Sequence, residues 1–448
     1  MNSEPMSIPL NSTEALPIKG LHWQPRWRMN NGQDDSFVVP FPTNNPANIV
    51  FHGHKNFDYG HFGIHLGQED RLTFMGPENK LVRADFVDCR AGSETLHRRL
   101  SITFQPGTHR TLIIPPGVAH TFFGLEDVYT INEYGLFLPD PRAWVNQQTS
   151  WTIGNDIMNF GLETPDDKLP VVTPNTFPAS EKFYTEVLRR QQAAIPALDT
   201  EFPMTRDLDT EGKKVRVVLR KRVEKKASPF PEWEEIQGIE GVGWQRHLTV
   251  LTGDESGIVP LAGPAALYVV DHGEKNFTHD SFGIHLGQED RLTFVGPKDQ
   301  LVTLHLLDCR SGSKTLHKAV DITFLPDPRR FLLIPPGVAH AFRRLENVFT
   351  INRPRNFLKA DGSYRPGSDV IDWPVERTPY PVLEANTIPA DEAFYRQQAI
   401  AQKDLSKEKV RYDTPKVQVI TDPKTGKQFR VALRRRVDAE EGPTSMYN

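Results

Sequence analysis

His65 and His120 sit in the settings of this 448-residue chain that most suggest chemistry, and each has a double. His65 lies in Phe-Gly-Ile-His-Leu-Gly-Gln-Glu-Asp-Arg-Leu-Thr-Phe, a string that fills residues 62–74 and recurs unchanged at 282–294 around His285. His120 closes Ile-Pro-Pro-Gly-Val-Ala-His at 114–120, and His340 closes the same seven residues at 334–340. A lone histidine is usually a packed or solvated residue. Two of them, repeated in register beside Gln, Glu, Asp and Arg, mark a retained site, because a core would retain apolar residues instead. Imidazole offers a general base near neutrality or a nitrogen for a metal ion. Alternate residues of a strand share a face, so Gly63 and His65 point together, opposite Phe62 and Ile64. In a small barrel that places the imidazole inward beside a glycine, which leaves room for a ligand. Pro115-Pro116-Gly117 supplies a tight turn that delivers the second histidine.

The elements that position these residues read as short strands. The stretches 81–89, 111–114 and 128–131, with counterparts at 301–309, 331–334 and 348–351, are rich in β-branched and aromatic residues. Gly, Pro, Asp and Asn punctuate them, the pattern of an antiparallel sandwich or barrel. Helix is expected late in each copy, over 180–195 and 391–402, with Ser180 and Asp391 as N-caps. Each copy then closes with an alternating basic strand, at 214–223 and 428–437, whose charges suit a guarded sheet edge. The repeat implies two whole domains, at 17–226 and 233–441, with tails at 1–16 and 442–448 and a linker at 227–232. So short a linker predicts two domains packed as an intramolecular pseudo-dimer, and a homodimer is a further expectation.

Composition narrows the function classes. The net charge of -4 is spread through the chain, which argues against a nucleic-acid surface or a polybasic membrane patch. No apolar run approaches the roughly 20 residues a bilayer span needs, and residues 1–17 lack an apolar signal core, so a cytoplasmic location is expected. The two cysteines, Cys89 and Cys309, hold equivalent positions in Asp-Cys-Arg and are expected to be buried thiols. A disulfide framework is excluded.

Gly-Ile-His65, Gln-Glu-Asp-Arg71-Leu, Val87-Asp88-Cys89-Arg90-Ala-Gly92-Ser93-Glu-Thr95-Leu and Ile-Pro-Pro-Gly-Val-Ala-His120 resemble, in order, the dTDP-4-dehydrorhamnose 3,5-epimerase family. Those enzymes are sugar-nucleotide epimerases with the cupin jelly-roll fold, and the second copy repeats the match. The resemblance covers about 70 to 90 residues of each copy. It implies a mainly β protein of two tandem cupin barrels, each with a short C-terminal helix and a closing strand. It also implies a carbon-acid isomerase or epimerase, cofactor-free, removing a proton next to a carbonyl of a sugar or related small metabolite, a nucleotide sugar among them. By resemblance His65 and His285 are the bases, Asp156 and Asp369 orient them, and Arg71 and Arg291 stand where the family's enolate-stabilising lysine would be. His120, His340, Asn132, Asn352, Glu69 and Glu289 are then expected around the substrate. Two departures stand out: Asn132 and Asn352 replace a proton-donating tyrosine, and Phe62 and Phe282 replace a phosphate-facing arginine.

Two rival readings use the same motifs. Other cupins bind a metal through His-x-His, a Glu four residues on, and the histidine of Pro-x-Gly-x-x-His. His65, Glu69 and His120, and likewise His285, Glu289 and His340, fit three of those four positions, with Gly63 replacing the remaining histidine. Such a set suits iron or zinc and implies an oxygenase or a metal-dependent isomerase. The other rival is a non-catalytic, sugar-binding bicupin.

Overall fold

The computed structural model describes residues 6–8, 15–26, 28–30, 36–41, 46–139, 157–180, 182–184, 201–210, 213–222, 229–251, 255–261, 265–275, 278–362, 370–405, 410–412, 416–421, 428–433 and 436–438. The protein is mainly β and forms two jelly-roll units. Unit 1 comprises Met1–Arg26, Asn45–Ala227 and Leu248–Gly263, and unit 2 comprises Trp27–Asn44, Ser228–His247 and Pro264–Asn448.

In unit 1 one sheet runs Arg99–Phe104, Val82–Asp88, Val118–Phe123, His61–His65 and Ile157–Gly161, flanked by Met6–Ile8 on one side. On the other side the hairpin of Glu201–Thr210 and Lys213–Arg222 continues it. The second sheet runs Gly135–Leu138, Gln68–Met75, Tyr129–Asn132, Ala47–Phe51 and Gly257–Leu261, with Gly107–Ile114 bonded to Gln68–Met75 and to His22–Pro25. Both sheets contribute to one buried cluster, in which Leu72, Phe74 and Leu112 of the second pack with Ala84, Phe86 and Phe122 of the first. Each leucine or phenylalanine among them contributes about 2 kcal/mol on leaving water. The back of the histidine-bearing sheet buries Phe62, Ile64, Val87, Cys89 and Ala119 under Leu169 and Val172. Odd and even residues of each strand therefore serve different cores, as the period of two requires.

Unit 2 has the same arrangement. One sheet runs Ala319–Phe324, Val302–Asp308, Val338–Arg343, Ser281–Ile284 and Ile371–Pro374, and the other contains Arg330–Ile334, Gln288–Val295, Phe349–Asn352 and Leu267–Asp271. The strands expected from composition are present within a residue or two, except that the one expected at 111–114 begins four residues earlier, as Gly107–Ile114, and that the second closing strand is described as Gln428–Leu433 and Arg436–Asp438. The helix Glu392–Leu405 starts where Asp391 Oδ1 accepts the Phe394 N–H at 2.8 Å, the N-cap bond expected of it. In unit 1 Ser180 Oγ accepts from Phe183 N–H at 3.2 Å, and residues 185–195 of the expected helix lie outside the described residues. Cys89 and Cys309 are free and buried, and burial pushes both thiols up to about 12.

The linear domain boundary is crossed twice. Phe37–Phe41 belongs to unit 2, where it pairs antiparallel with Leu267–Asp271. Gly257–Leu261 belongs to unit 1, paired with Ala47–Phe51. An alternating strand shows which face is buried but carries no sign of which sheet it joins.

Candidate functional site

In each unit the two sheets meet around a group of three side chains. His61–His65 and Val118–Phe123 are neighbours, with Gly63 opposite His120, so both imidazoles leave the same face of the first sheet. A short turn after His65 carries the chain into Gln68–Met75 of the second sheet, which sends Gln68, Asp70, Leu72 and Phe74 inward. The result places His65 Nε2 3.6 Å and His120 Nε2 3.2 Å from Asp70 Oδ2. Unit 2 repeats this with His285 at 3.7 Å and His340 at 3.5 Å from Asp290 Oδ2. In both units the donor atoms of the three residues lie within 4.8 Å of one another. The paired imidazoles are near-parallel in both, at 26° and 27°.

The other carboxylate oxygen is already committed. Asp70 Oδ1 accepts from Gln68 Nε2 and from Asn132 Nδ2, each at 2.7 Å. Asp290 Oδ1 does so from Gln288 at 2.7 Å and Asn352 at 2.8 Å. Asn132 is itself fixed, since its Oδ1 accepts the Arg71 backbone N–H at 3.0 Å. Oδ2 is thus the oxygen aimed at the histidines. Burial holds the His120 imidazole below its ordinary value, the Asp70 charge opposes this, and the neighbouring His65 adds to it. His340 is lowered for the same reasons. With Nδ1 of the neutral ring donating to the Val118 carbonyl at 3.3 Å, Nε2 turns its lone pair toward Oδ2. Two acceptors facing each other at 3.2 Å need a proton or a cation between them. Two nitrogens and one carboxylate oxygen fit a divalent first-row metal, and the Gln68 and Asn132 bonds are the outer support that such ligands require.

The approach of His120 depends on the turn before it. Gly117 has φ +82°, and a Cβ there would lie 2.6 Å from Arg90 Cγ and 2.7 Å from Pro174 Cγ. Its N–H donates to the His65 carbonyl at 2.7 Å, which ties the two histidine segments together. Arg90 is held in turn by the fully buried Asp88, which also accepts from Ser93 and Thr95 hydroxyls at 2.6 Å each. Burial pushes Asp88 up, yet the bonds from Arg90, Ser93 and Thr95 outweigh it and leave the carboxyl at about 2. The Asp-x-Arg-x-Gly-Ser-x-Thr motif is therefore a structural clasp beneath the turn.

Several expected site residues stand elsewhere. Glu69 and Glu289 face away from the histidines and bind Arg71 and Arg291 at 2.8 Å. The ligand-position carboxylates are Asp70 and Asp290, one residue further on, and in a strand that single step reverses the face. Arg71 and Arg291 lie on the same outer face, so they are not oxyanion stabilisers beside His65 or His285. Asn132 and Asn352, expected around the substrate, instead donate to the aspartates and accept the backbone N–H of Arg71 or Arg291. Asp156 and Asp369 lie outside the described residues. His65, His120, His285 and His340 come together as expected, and the back-face position of Phe62, stacked on Phe160 at 5.0 Å, gives phosphate no contact there.

Sequence reasoning missed Gln68, Asp70 and their counterparts, although strict alternation from Leu72 and Phe74 would have found both. Tyr59 was also missed. Its hydroxyl meets His52 Nε2 at 3.0 Å, and burial together with the charge of Asp70 raises it to about 12. The second copy has His279 at that position.

No family model and no curated protein matches this chain. Among solved structures, a dTDP sugar isomerase from Desulfovibrio desulfuricans G20 is similar at 19% identity, covering 33% of this chain and 89% of its own, with a TM-score of 0.23. The oxalate decarboxylase of Lactobacillus farciminis covers 76% of this chain and 88% of its own at 10% identity and a TM-score of 0.22. A dTDP-4-dehydrorhamnose 3,5-epimerase from Bacillus anthracis covers 36% and 94%, at 14% identity and 0.24. Similarity at this level carries no functional argument.

Proposed function

We propose that this protein is a metal-dependent enzyme acting on a small oxygen-bearing metabolite. His65, Asp70 and His120 would hold one divalent ion, and His285, Asp290 and His340 a second. The observation that carries this reading is the convergence of three potential ligand atoms in both units, with the other carboxylate oxygen fixed by Gln68 and Asn132 in unit 1 and by Gln288 and Asn352 in unit 2. Iron and zinc suit the donor set. When bound, such an ion supplies Lewis acidity and open coordination positions for a substrate oxygen. The chain's own contribution is to aim Oδ2, to hold His120 below its ordinary value by burial, and to put no side chain of its own at Gly63, beside Asn159. Metal content of the purified protein tests the proposal. Near two equivalents per chain are expected, falling to almost none in Asp70→Asn/Asp290→Asn and unchanged in Glu69→Gln/Glu289→Gln. Loss of metal in the glutamate pair alone would refute it.

One contact favours a second reading, a metal-free carbon-acid isomerase. His120 Nε2 lies close enough to Asp70 Oδ2 for the carboxylate to orient a protonated imidazole after it has taken a substrate proton. Under this reading, chelator-treated protein still exchanges a carbon-bound substrate proton with deuterated solvent. Under the metal reading it does not.

A further inference from the structure

Asp70 is braced from a row of residues that crosses the second sheet of unit 1. Leu72, Asn132, Asn48 and Pro260 stand directly opposite one another on four successive strands. Opposed residues of antiparallel strands share a face, and Asn132 marks this one as inward, since its amide reaches Asp70 Oδ1 at 2.7 Å. Asn48 is therefore an inward amide one strand beyond Asn132. It is 5% exposed, and its Oδ1 is buried with no hydrogen-bond partner among the described residues. Neither neighbour in the row supplies one. Asn132 gives its amide to Asp70 and takes the Arg71 N–H, and the Pro260 side chain is hydrocarbon. A buried polar atom left unpaired costs stability, and an apolar residue would serve the strand as well, so this amide calls for a reason. Tyr59, packed against the same inter-sheet cluster as Leu72 and Phe74, adds a second acceptor. His52 Nδ1 meets the Val128 carbonyl at 3.3 Å and so carries the ring proton, while burial lowers the imidazole to about 4 and keeps it neutral. Its Nε2 then accepts the Tyr59 O–H at 3.0 Å, which leaves the Tyr59 oxygen with lone pairs to offer.

We infer that Asn48 is a ligand-contacting residue of unit 1, and that it selects ligands carrying a hydroxyl group away from their metal-bound end. A hydroxyl both donates and accepts, so it satisfies the Asn48 amide whichever way that group is turned, and it can donate to the Tyr59 oxygen as well. This rests on the metal reading above, which supplies the anchor at His65, Asp70 and His120. The strand of Asn48 lies two spacings, about 10 Å, from that of Asp70. The amide therefore meets a part of the ligand distinct from the oxygen held by the metal. At the corresponding register of unit 2, opposite Asn352, stands Tyr268, so the assignment is made for unit 1 alone.

The test uses the full-length chain with unit 2 silenced by His285→Ala/His340→Ala and unit 1 loaded with cobalt(II), whose visible spectrum reports each added ligand. The probes are pentanoate and its 3-, 4- and 5-hydroxy derivatives, which share a carboxylate for the metal and differ in where the hydroxyl sits. At least one hydroxy acid should bind about tenfold more tightly than pentanoate, the worth of one good hydrogen bond. Asn48→Leu, close in volume, should erase that gain while pentanoate affinity stays within threefold and cobalt affinity within twofold. Its unfolding midpoint should not fall, because the amide holds nothing in the folded chain, and Asn48→Ala makes the same comparison with less bulk. Equal affinities for all four acids, or a hydroxyl gain that survives both substitutions, would overturn the inference and leave the metal centre standing. A lowered midpoint with all four acids weakened alike would make Asn48 a structural residue and overturn it too. Failure of cobalt to bind would remove the metal reading and this inference with it.

Discussion

At the scale of single residues, the site is one aspartate held so that only one of its oxygens is available. Asn132 does much of that holding, because its amide spans the Arg71 backbone and Asp70 Oδ1. Outer-shell partners of this kind are worth 10- to 100-fold in metal affinity. Asn132→Ala should therefore lower the metal affinity of unit 1 by about that factor, measured by competition with a chromophoric chelator. Circular dichroism should stay unchanged, and a fall below threefold would show that Gln68 suffices alone. The histidines were legible from the sequence because each lies inside a repeated string with an obvious chemical type. The carboxylate was not read correctly. Glu69 and Asp70 are adjacent, both acidic and both repeated, and only the face taken by Leu72 and Phe74 in the core separates them. The role of Asn132 was hidden for a similar reason, since nothing local tells an amide that contacts substrate from one that props a carboxylate.

Among the elements, the turn at Gly117 and the clasp at Asp88 fix how the second histidine reaches the site. A side chain at Gly117 meets both a left-handed backbone and the Arg90 and Pro174 side chains. Gly117→Ala should cost about 2 kcal/mol or more in denaturant unfolding and weaken metal binding in unit 1 together with it. Asp88 makes a prediction about pH. Its folded-state value, about 2, is below the ordinary 3.8, so the stability it contributes is present above about pH 4 and is lost as the pH falls toward 2. A shift of this size corresponds to about 2 kcal/mol. Asp308 is lowered by the same set of bonds. In Asp88→Asn/Asp308→Asn the acid limb of a stability-versus-pH curve should flatten between pH 4 and 2, with lower stability at neutral pH. A curve parallel to that of the unchanged protein would assign the acid sensitivity to other carboxylates. The turn and the strands were readable from Pro-Pro-Gly and from alternation. The clasp appeared only as a motif of the resemblance, because five hydrogen bonds converging on one buried carboxylate require a loop geometry that spacing alone does not give.

For the whole molecule, the exchange of segments predicts that neither half of the sequence folds as a unit by itself. Residues 1–226 would lack Gly257–Leu261, leaving the buried strand Ala47–Phe51 without a neighbour on one edge, and would carry Phe37–Phe41 without its partner. Residues 233–448 would lack Phe37, Val39 and Phe41, all buried in the intact protein. Burial of three such side chains is worth about 6 kcal/mol, and Val259 and Leu261 bring about 4 kcal/mol to unit 1. A domain is stable by only 5–15 kcal/mol in total, so these losses are of the same order as everything that holds a unit together. Each half produced alone should be poorly soluble, expose apolar surface to a hydrophobic dye and unfold without a cooperative transition. Co-produced halves should recover both cooperativity and two metal equivalents, because each then supplies the strand that the other unit needs. A cut moved to fall within residues 228–232 should behave no better, since the problem is the strands and not the linker. If residues 1–226 alone melt cooperatively near the temperature of the intact chain, the exchanged strands are ornaments on units that were already complete.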